Sequence, residues 1–142
     1  MAHASPSAEG LAVAVLQALE ARDADALERL ALSEGEFRDH VWPSLPAARP
    51  ERNLPFGYVW GDLHQKSRQG LAALLAGHGG AHYRFVRLRA LEGTTQYDQF
   101  VVHRAMEVTV EDGVGNQIPL RLFGSMLEKD GTYKVFSFVI ND

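Results

Sequence analysis

The sequence contains no cysteine, so disulfide bonds and thiol chemistry are excluded from any account of the protein. An excess of basic residues is also missing, because 14 Lys and Arg stand against 18 Asp and Glu and give a formal net charge of -4 at pH 7. Nucleic acids and anionic membranes are bound through basic surfaces, so the sequence predicts that neither is a main partner.

Long apolar runs are absent as well. The best candidate, Leu11 to Leu19, is far shorter than the roughly 20 residues that a membrane-spanning helix needs. It follows Glu9 rather than a basic segment and lacks an obvious small-residue cleavage site, so a secretory signal is not predicted. We interpret this run as part of a helix, and the sequence favours a cytoplasmic over a secreted protein, although a removed leader would leave no trace in it.

The remaining composition is that of an ordinary soluble protein, with 46% hydrophobic and 23% charged residues. A chain of 142 residues is long enough to bury a core as one domain. Since neither repeats nor a domain boundary are visible, we predict a single domain over residues 1–142, of which about the first seven are disordered.

Helical signals fill the first half of the chain. Apolar residues recur at helical spacing and predict a first helix from about Ser7 to Arg22. Capping-box spacings predict two short helices, one begun by Asp25 and one by Ser33. The second of these ends at Trp42-Pro43, because proline removes a backbone donor and clashes with the preceding turn.

The segment from Pro43 to Gly57 has no regular period and is predicted to be a loop, either a stiff crossover packed on the surface or a lid over a binding site. A longer helix follows from about Tyr58 to Ala76, and Gly77 is expected to end it. Gly61 and Gly70 within this helix indicate either close packing or simple tolerance. One side of the helix carries these residues: Trp60, Leu63, His64, Ser67, Leu71, Leu74 and Leu75.

Alternating apolar residues predict four strands in the second half. Asp130-Gly131 is a hairpin signal, because these residues tolerate the positive φ that tight turns need. Gly124 predicts a bulge or sharp bend inside the third strand. The fold class is therefore α+β, with N-terminal helices packed on a curved antiparallel sheet. The predicted strands are His82–Leu91, Tyr97–Glu111, Ile118–Glu128 and Thr132–Ile140.

Arg104 interrupts the apolar face of the longest predicted strand, where a charge needs a partner, a ligand or a route to water. One interpretation is an anchor for a carboxylate or enolate oxygen, since a guanidinium offers fixed bidentate donors. The other is a structural ion pair or a side chain that reaches the rim. The candidate partners for that pair are Glu36, Asp39 and Asp98.

The order of helices, long loop and bent antiparallel sheet resembles the NTF2-like superfamily, which also contains ketosteroid isomerase, scytalone dehydratase and SnoaL-type polyketide cyclases. The best local matches are the helix pair LEARDADAL and the hairpin GSMLEKDGTYKVFSF. The resemblance implies a cone-shaped fold whose sheet and helices enclose a pocket, and it commonly implies homodimers through the outer sheet face. No residues here reproduce the isomerase tyrosine and two aspartates or the dehydratase histidine pair, so catalytic roles do not carry over.

His64 lies one helical turn after Trp60 and about one turn before Ser67, so the three side chains can line one wall of a pocket. A histidine there can act as a general acid or base, or simply be held by hydrogen bonds. Asp39 is a second candidate base. Tyr97 is a candidate ligand contact, although tyrosines of this kind more often pack in a core or interface.

The six histidines do not show the spacing of a metal site, since His78 and His82 are separated by Gly-Gly-Ala and no HExxH motif is present. No metal and no cofactor are predicted. Three hypotheses for function follow. The first is a protein that binds a small, largely apolar molecule, either neutral or anionic. The residues expected to hold this molecule are Trp60, His64, Tyr97 and Arg104. The second is a small lyase or isomerase that uses His64 or Asp39 as base, and the third is a dimerisation module without a ligand.

Overall fold

Short polar side chains cap the first three α-helices at their N-terminal ends. In the computed structural model, which describes residues 1–140, Ser7 accepts a hydrogen bond from the backbone N–H of Gly10 and begins the first helix as predicted. The described part leaves out only the last two residues of the predicted domain. The α-helices are α1 Ala8–Glu20, α2 Ala24–Leu30, α3 Glu34–Glu36 and α4 Phe56–His78.

The capping box at Ser33 is confirmed. The hydroxyl of Ser33 accepts from the backbone N–H of Glu36 at 3.2 Å, and the carboxylate of Glu36 accepts from the backbone N–H of Ser33 at 3.0 Å. The predicted start of α2 at Asp25 was wrong by two residues, because Asp23 is the residue whose side chain accepts from Ala26.

The proline-rich loop is a series of short helical turns. A π-helical turn, Phe37–Val41, leads into the 3-10 turns Trp42–Ser44, Pro46–Ala48 and Pro50–Arg52, each of which has a proline at its start. The next helix, α4, begins at Phe56 and ends at His78. It is therefore two residues longer at each end than the predicted helix from Tyr58 to Ala76. Trp42 and Leu45 pack against an apolar cluster, which holds this crossover to the rest of the fold.

The second half of the chain forms two antiparallel sheets, with strand orders β1-β4-β5 and β2-β3-β6-β7. The α+β class with helices before strands is confirmed, although residues 1–140 contain seven strands where four were predicted. The hairpin turn at Asp130-Gly131 is also confirmed, since both residues have positive φ. The strands are β1 Arg84–Ala90, β2 Thr94–Gln96, β3 Val101–His103, β4 Met106–Glu111, β5 Gln117–Leu120, β6 Met126–Lys129 and β7 Thr132–Val135.

More strands are found than predicted because the chain bends at places where the alternation of apolar residues continues without a break. The predicted strand Tyr97–Glu111 breaks between β3 and β4 at Ala105, whose φ of 54° is outside the range of a strand. The predicted strand Ile118–Glu128 breaks beside it, and Gly124 accepts from the backbone N–H of Met106 and donates to Ser137. A Cβ at Gly124 would overlap the carbonyl oxygen of Val139, so the predicted bend at this glycine is confirmed.

The main core lies between α1, α4 and the inner face of β1 and β4. A second cluster, around Phe37, Phe100 and Leu127, lies under the crossover. The first residues of the chain were predicted to be disordered, but Ser5 exchanges backbone hydrogen bonds with Tyr133, both at 2.9 Å. Within residues 1–140, no helix is both long and apolar enough to cross a membrane.

Candidate functional site

A pocket of about 570 Å³, called here the main pocket, lies between α2 and α4 and over the chain that follows β7. Apolar atoms make up the larger part of its lining, and polar or charged side chains from α2, α3, α4 and β7 also line it. Its apolar and aromatic lining residues are Leu32, Trp60, Leu63, Leu71, Phe136 and Phe138.

Helix α4 forms one wall, and it carries the three residues that the sequence placed together. Trp60, His64 and Ser67 all line the main pocket. The rings of Trp60 and His64 stack with centroids 5.1 Å apart and planes inclined by 10°. The hydroxyl of Ser67 accepts from the backbone N–H of Phe138 at 3.0 Å, so it links α4 to the opposite wall. Stacking therefore fixes the relative orientation of the two rings in the pocket wall.

A buried ion pair lies beside this wall. Lys134 is 2% exposed and its Nζ donates to Oε1 of Glu36 at 2.6 Å and to the carbonyl of Ala2 at 2.9 Å. The Glu36 side chain is 11% exposed, and its Oε2 is buried with no hydrogen-bond partner among residues 1–140. Two of the three Lys134 donors are thus used within the fold, and the pair is neutral overall.

The pKa of Glu36 lies below its usual value. Burial raises this pKa, but the hydrogen bond from Lys134, the hydrogen bond from the Ser33 backbone and the charge of Lys134 together lower it by more. A carboxylate whose pKa is lowered by folding stabilises the protein above the pKa of the unfolded chain. That stabilisation is lost as the pH falls through the folded pKa.

We therefore expect the E36Q variant to be less stable than the parent protein at pH 7, and the difference to shrink as the pH falls below about 4, where glutamate is ordinarily protonated. Urea unfolding at pH 7, 5, 4 and 3 measures this difference. The exposed neighbour variant E34Q is the control and should change stability little at any of these values. A difference between E36Q and the parent that stays constant with pH would contradict this account of Glu36.

Sequence reasoning missed Lys134, although a signal for it exists. Lys134 shares the period-two face of the last predicted strand with Phe136 and Phe138, and all three line the main pocket. A cation on an apolar strand face was recognised at Arg104 but not here. Its partner, Glu36, lies 98 residues earlier in the chain and was considered only as a partner for Arg104.

Arg104 does not line the main pocket, so the structure does not bring it together with Trp60 and His64. The reason is the break at Ala105, which turns Arg104 off the inner face of the strand and exposes it. Its guanidinium donates to the carbonyl of Glu92 instead. None of the three suggested acidic partners, Glu36, Asp39 and Asp98, pairs with it.

Tyr97 and Asp39 also lie outside the main pocket. Tyr97 stacks on Phe100, with ring centroids 4.7 Å apart, in the second apolar cluster. Asp39 is exposed and pairs with Arg38 at 3.0 Å, which lowers the pKa of its carboxyl. No residue of the predicted loop 43–57 lines the main pocket.

The histidines are held in separate contacts. His78 is hydrogen-bonded to Tyr83 at 2.9 Å, His103 to Glu128 at 2.8 Å, and His82 pairs with Glu20. Within residues 1–140, no group of three or more His, Asp or Glu side chains is placed to hold a metal ion.

No protein-family model, curated protein or solved structure matches this chain. The geometry of the main pocket therefore carries the functional proposal.

Proposed function

We propose that this protein binds a small, largely apolar molecule in the main pocket. The observation that carries the proposal is a pocket of about 570 Å³ whose wall combines aliphatic side chains with the stacked pair Trp60 and His64. Pockets for small molecules typically measure about 300–1,000 Å³ and combine an apolar lining with few polar groups. The stacked rings favour a ligand with a planar ring.

The charges around the pocket favour a neutral ligand over an anion. Arg104, the anchor expected for an anionic group, lies elsewhere, and the buried cation Lys134 is already paired with Glu36. Arg68 also lines the pocket, and its Nε forms an ion pair with Oε1 of Glu28 at 3.8 Å. Arg29 also lines the pocket, but it is exposed to water. An anion would therefore meet no unpaired buried cation among the described lining residues.

Binding is also better supported than proton transfer. The lyase or isomerase hypothesis needs a base and an oxyanion donor on one pocket. Of its three residues, His64 lines the main pocket, whereas Asp39 and Arg104 do not. The assembly hypothesis needs no ligand pocket, whereas the main pocket offers about 570 Å³ beside α4.

We also propose that the fold is a variant of the NTF2-like cone. The helices that precede a bent antiparallel sheet, and a pocket bordered by α2, α4 and the chain after β7, support this assignment. The resemblance implies a homodimer through the outer sheet face. That face carries the cross-strand ion pairs Arg84–Glu111 and Arg89–Glu107, so a dimer there would be held largely by polar contacts.

We expect the H64A variant to bind neutral aromatic ligands about three- to tenfold more weakly than the parent protein, because half of the stacked surface is removed. The W42F background leaves Trp60 as the one tryptophan, so its fluorescence reports on the pocket. A panel of neutral aromatic and alicyclic alcohols and amides, each with its matched carboxylic acid, is titrated against this protein.

The control variant is Q65A, which removes an exposed neighbour on α4 that does not line the pocket. We expect Q65A to bind like the parent, and the neutral compounds to bind more tightly than the matched acids. Equal losses in H64A and Q65A, or a panel in which no compound changes Trp60 fluorescence, would count against the proposed function.

A further inference from the structure

A second, smaller cleft lies at the bend of the sheet, away from the main pocket. It measures about 120 Å³ and is lined by two arginines that come from neighbouring bends, Arg104 between β3 and β4 and Arg121 after β5. Ser125 and Glu92 line it as well. The sequence pointed to Arg104 alone, whereas the fold brings a second guanidinium to the same cleft.

Both guanidiniums are positioned by backbone carbonyls. Nε of Arg121 donates to the carbonyl of Met106 at 2.8 Å, and Arg104 donates to the carbonyl of Glu92. Each contact uses one or two of the five N–H donors of an arginine and leaves the other N–H groups of the guanidinium available. The half-buried Arg121 has no carboxylate within 4 Å among residues 1–140, and neither has Arg104.

The backbone at this bend supports the arrangement. Ala105 has a φ of 54°. This conformation is unfavourable in free energy for any residue other than glycine, and it persists only where surrounding contacts enforce it. Here the carbonyl of Ala105 accepts from Leu91, and the N–H of Arg104 donates to Gly93. These backbone contacts therefore hold Arg104 at the cleft.

We propose that this cleft binds a small oxyanion, a phosphate or a carboxylate, between Arg104 and Arg121. Two arginines against the one carboxylate of Glu92 leave a net positive charge in the cleft. Planar forks of N–H donors match the oxygens of phosphate and carboxylate groups. A volume of about 120 Å³ suits such a group rather than a larger ligand.

The test is a titration of ¹⁵N-labelled protein with inorganic phosphate and, separately, with acetate, at an ionic strength held constant with sodium chloride. We expect the Nε–Hε signals of Arg104 and Arg121 to shift and saturate. The R104Q and R121Q variants should each weaken binding about tenfold, the effect of losing a charge-assisted hydrogen-bonding group. The matched control R87Q removes an exposed arginine of β1 outside the cleft and should bind like the parent.

Saturation with both anions would assign the cleft to oxyanions in general, and saturation with phosphate alone would assign it to a phosphoryl group. Shifts no larger than those caused by chloride, or an equal loss of binding in R87Q, would overturn the proposal. The R121Q variant also loses the hydrogen bond to Met106, so a spectrum of each variant checks that it is folded. If R121Q is unfolded, the binding of anions by R104Q, which changes an exposed residue, tests the proposal alone.

Discussion

The G70A variant is expected to lose about 3 kcal/mol or more of its free energy of unfolding, since overpacking against an element that cannot move belongs to the severe class of substitutions. Gly70 lies on the side of α4 that faces the chain after β7. A Cβ there would overlap the carbonyl group of Phe138, with the carbonyl carbon at 2.8 Å. Backbone atoms form this contact, so no side-chain rotation can relieve it.

The control for this prediction is G61A, on the same helix. A Cβ at Gly61 meets nothing within 4 Å. Alanine is favoured over glycine in a helix interior by about 0.5–1 kcal/mol, so G61A should be more stable than the parent by up to that amount. Urea unfolding of both variants measures the two effects. A G70A variant as stable as G61A would show that α4 does not approach Phe138 as closely as described.

The same contact has a consequence for the main pocket. Ser67 and Phe138 are joined by a hydrogen bond one helical turn from Gly70, and both residues line the pocket. A methyl group at Gly70 would push the two walls apart. We therefore expect G70A to weaken ligand binding as well as folding, whereas G61A should leave binding unchanged.

The K134M variant is expected to lose about 3–5 kcal/mol of stability, because it leaves the carboxylate of Glu36 buried without its cation. Lys134 is buried, the Glu36 side chain is only 11% exposed, and Oε2 of Glu36 already lacks a partner among the described residues. Methionine keeps an unbranched apolar stem and is only one atom shorter than lysine, so the loss reports mainly the charge. Chemical denaturation at pH 7 measures it.

A second variant separates an unpaired charge from a general packing defect. In E36Q/K134M both charges are removed, and the glutamine can still accept the hydrogen bond from the Ser33 backbone. We expect this double variant to recover more than half of the stability that K134M loses. If the double variant is as unstable as the sum of its single substitutions, the buried charge is not the cause.

Local signals in the sequence predicted local features well. The capping box of Ser33 and Glu36 and the turn at Asp130-Gly131 depend on residues within a few positions of each other, and both are found where expected. The shared wall of Trp60 and His64 follows from helical spacing alone. These features need no knowledge of the tertiary structure.

The bend at Ala105 could not be predicted in the same way. The alternation of apolar residues continues from β3 into β4, and alanine gives no signal for a positive φ. Distant backbone partners hold the bend, namely Leu91 on one side and Gly124 on the other. The strand pattern therefore placed Arg104 inside the fold, and tertiary contacts place it in the second cleft. The pairing of Lys134 with Glu36 is likewise a long-range contact that spacing cannot show.

The most direct test of the proposed function is a ¹H–¹⁵N spectrum of the protein titrated with the neutral compound that changes Trp60 fluorescence most. We predict that the largest shifts belong to the indole N–H of Trp60 and the backbone amides of Ser67 and Phe138, which surround the main pocket. The amides around Ala105 should stay unchanged. Shifts that fall outside the main pocket, or that leave the Trp60 indole unmoved, would contradict the account.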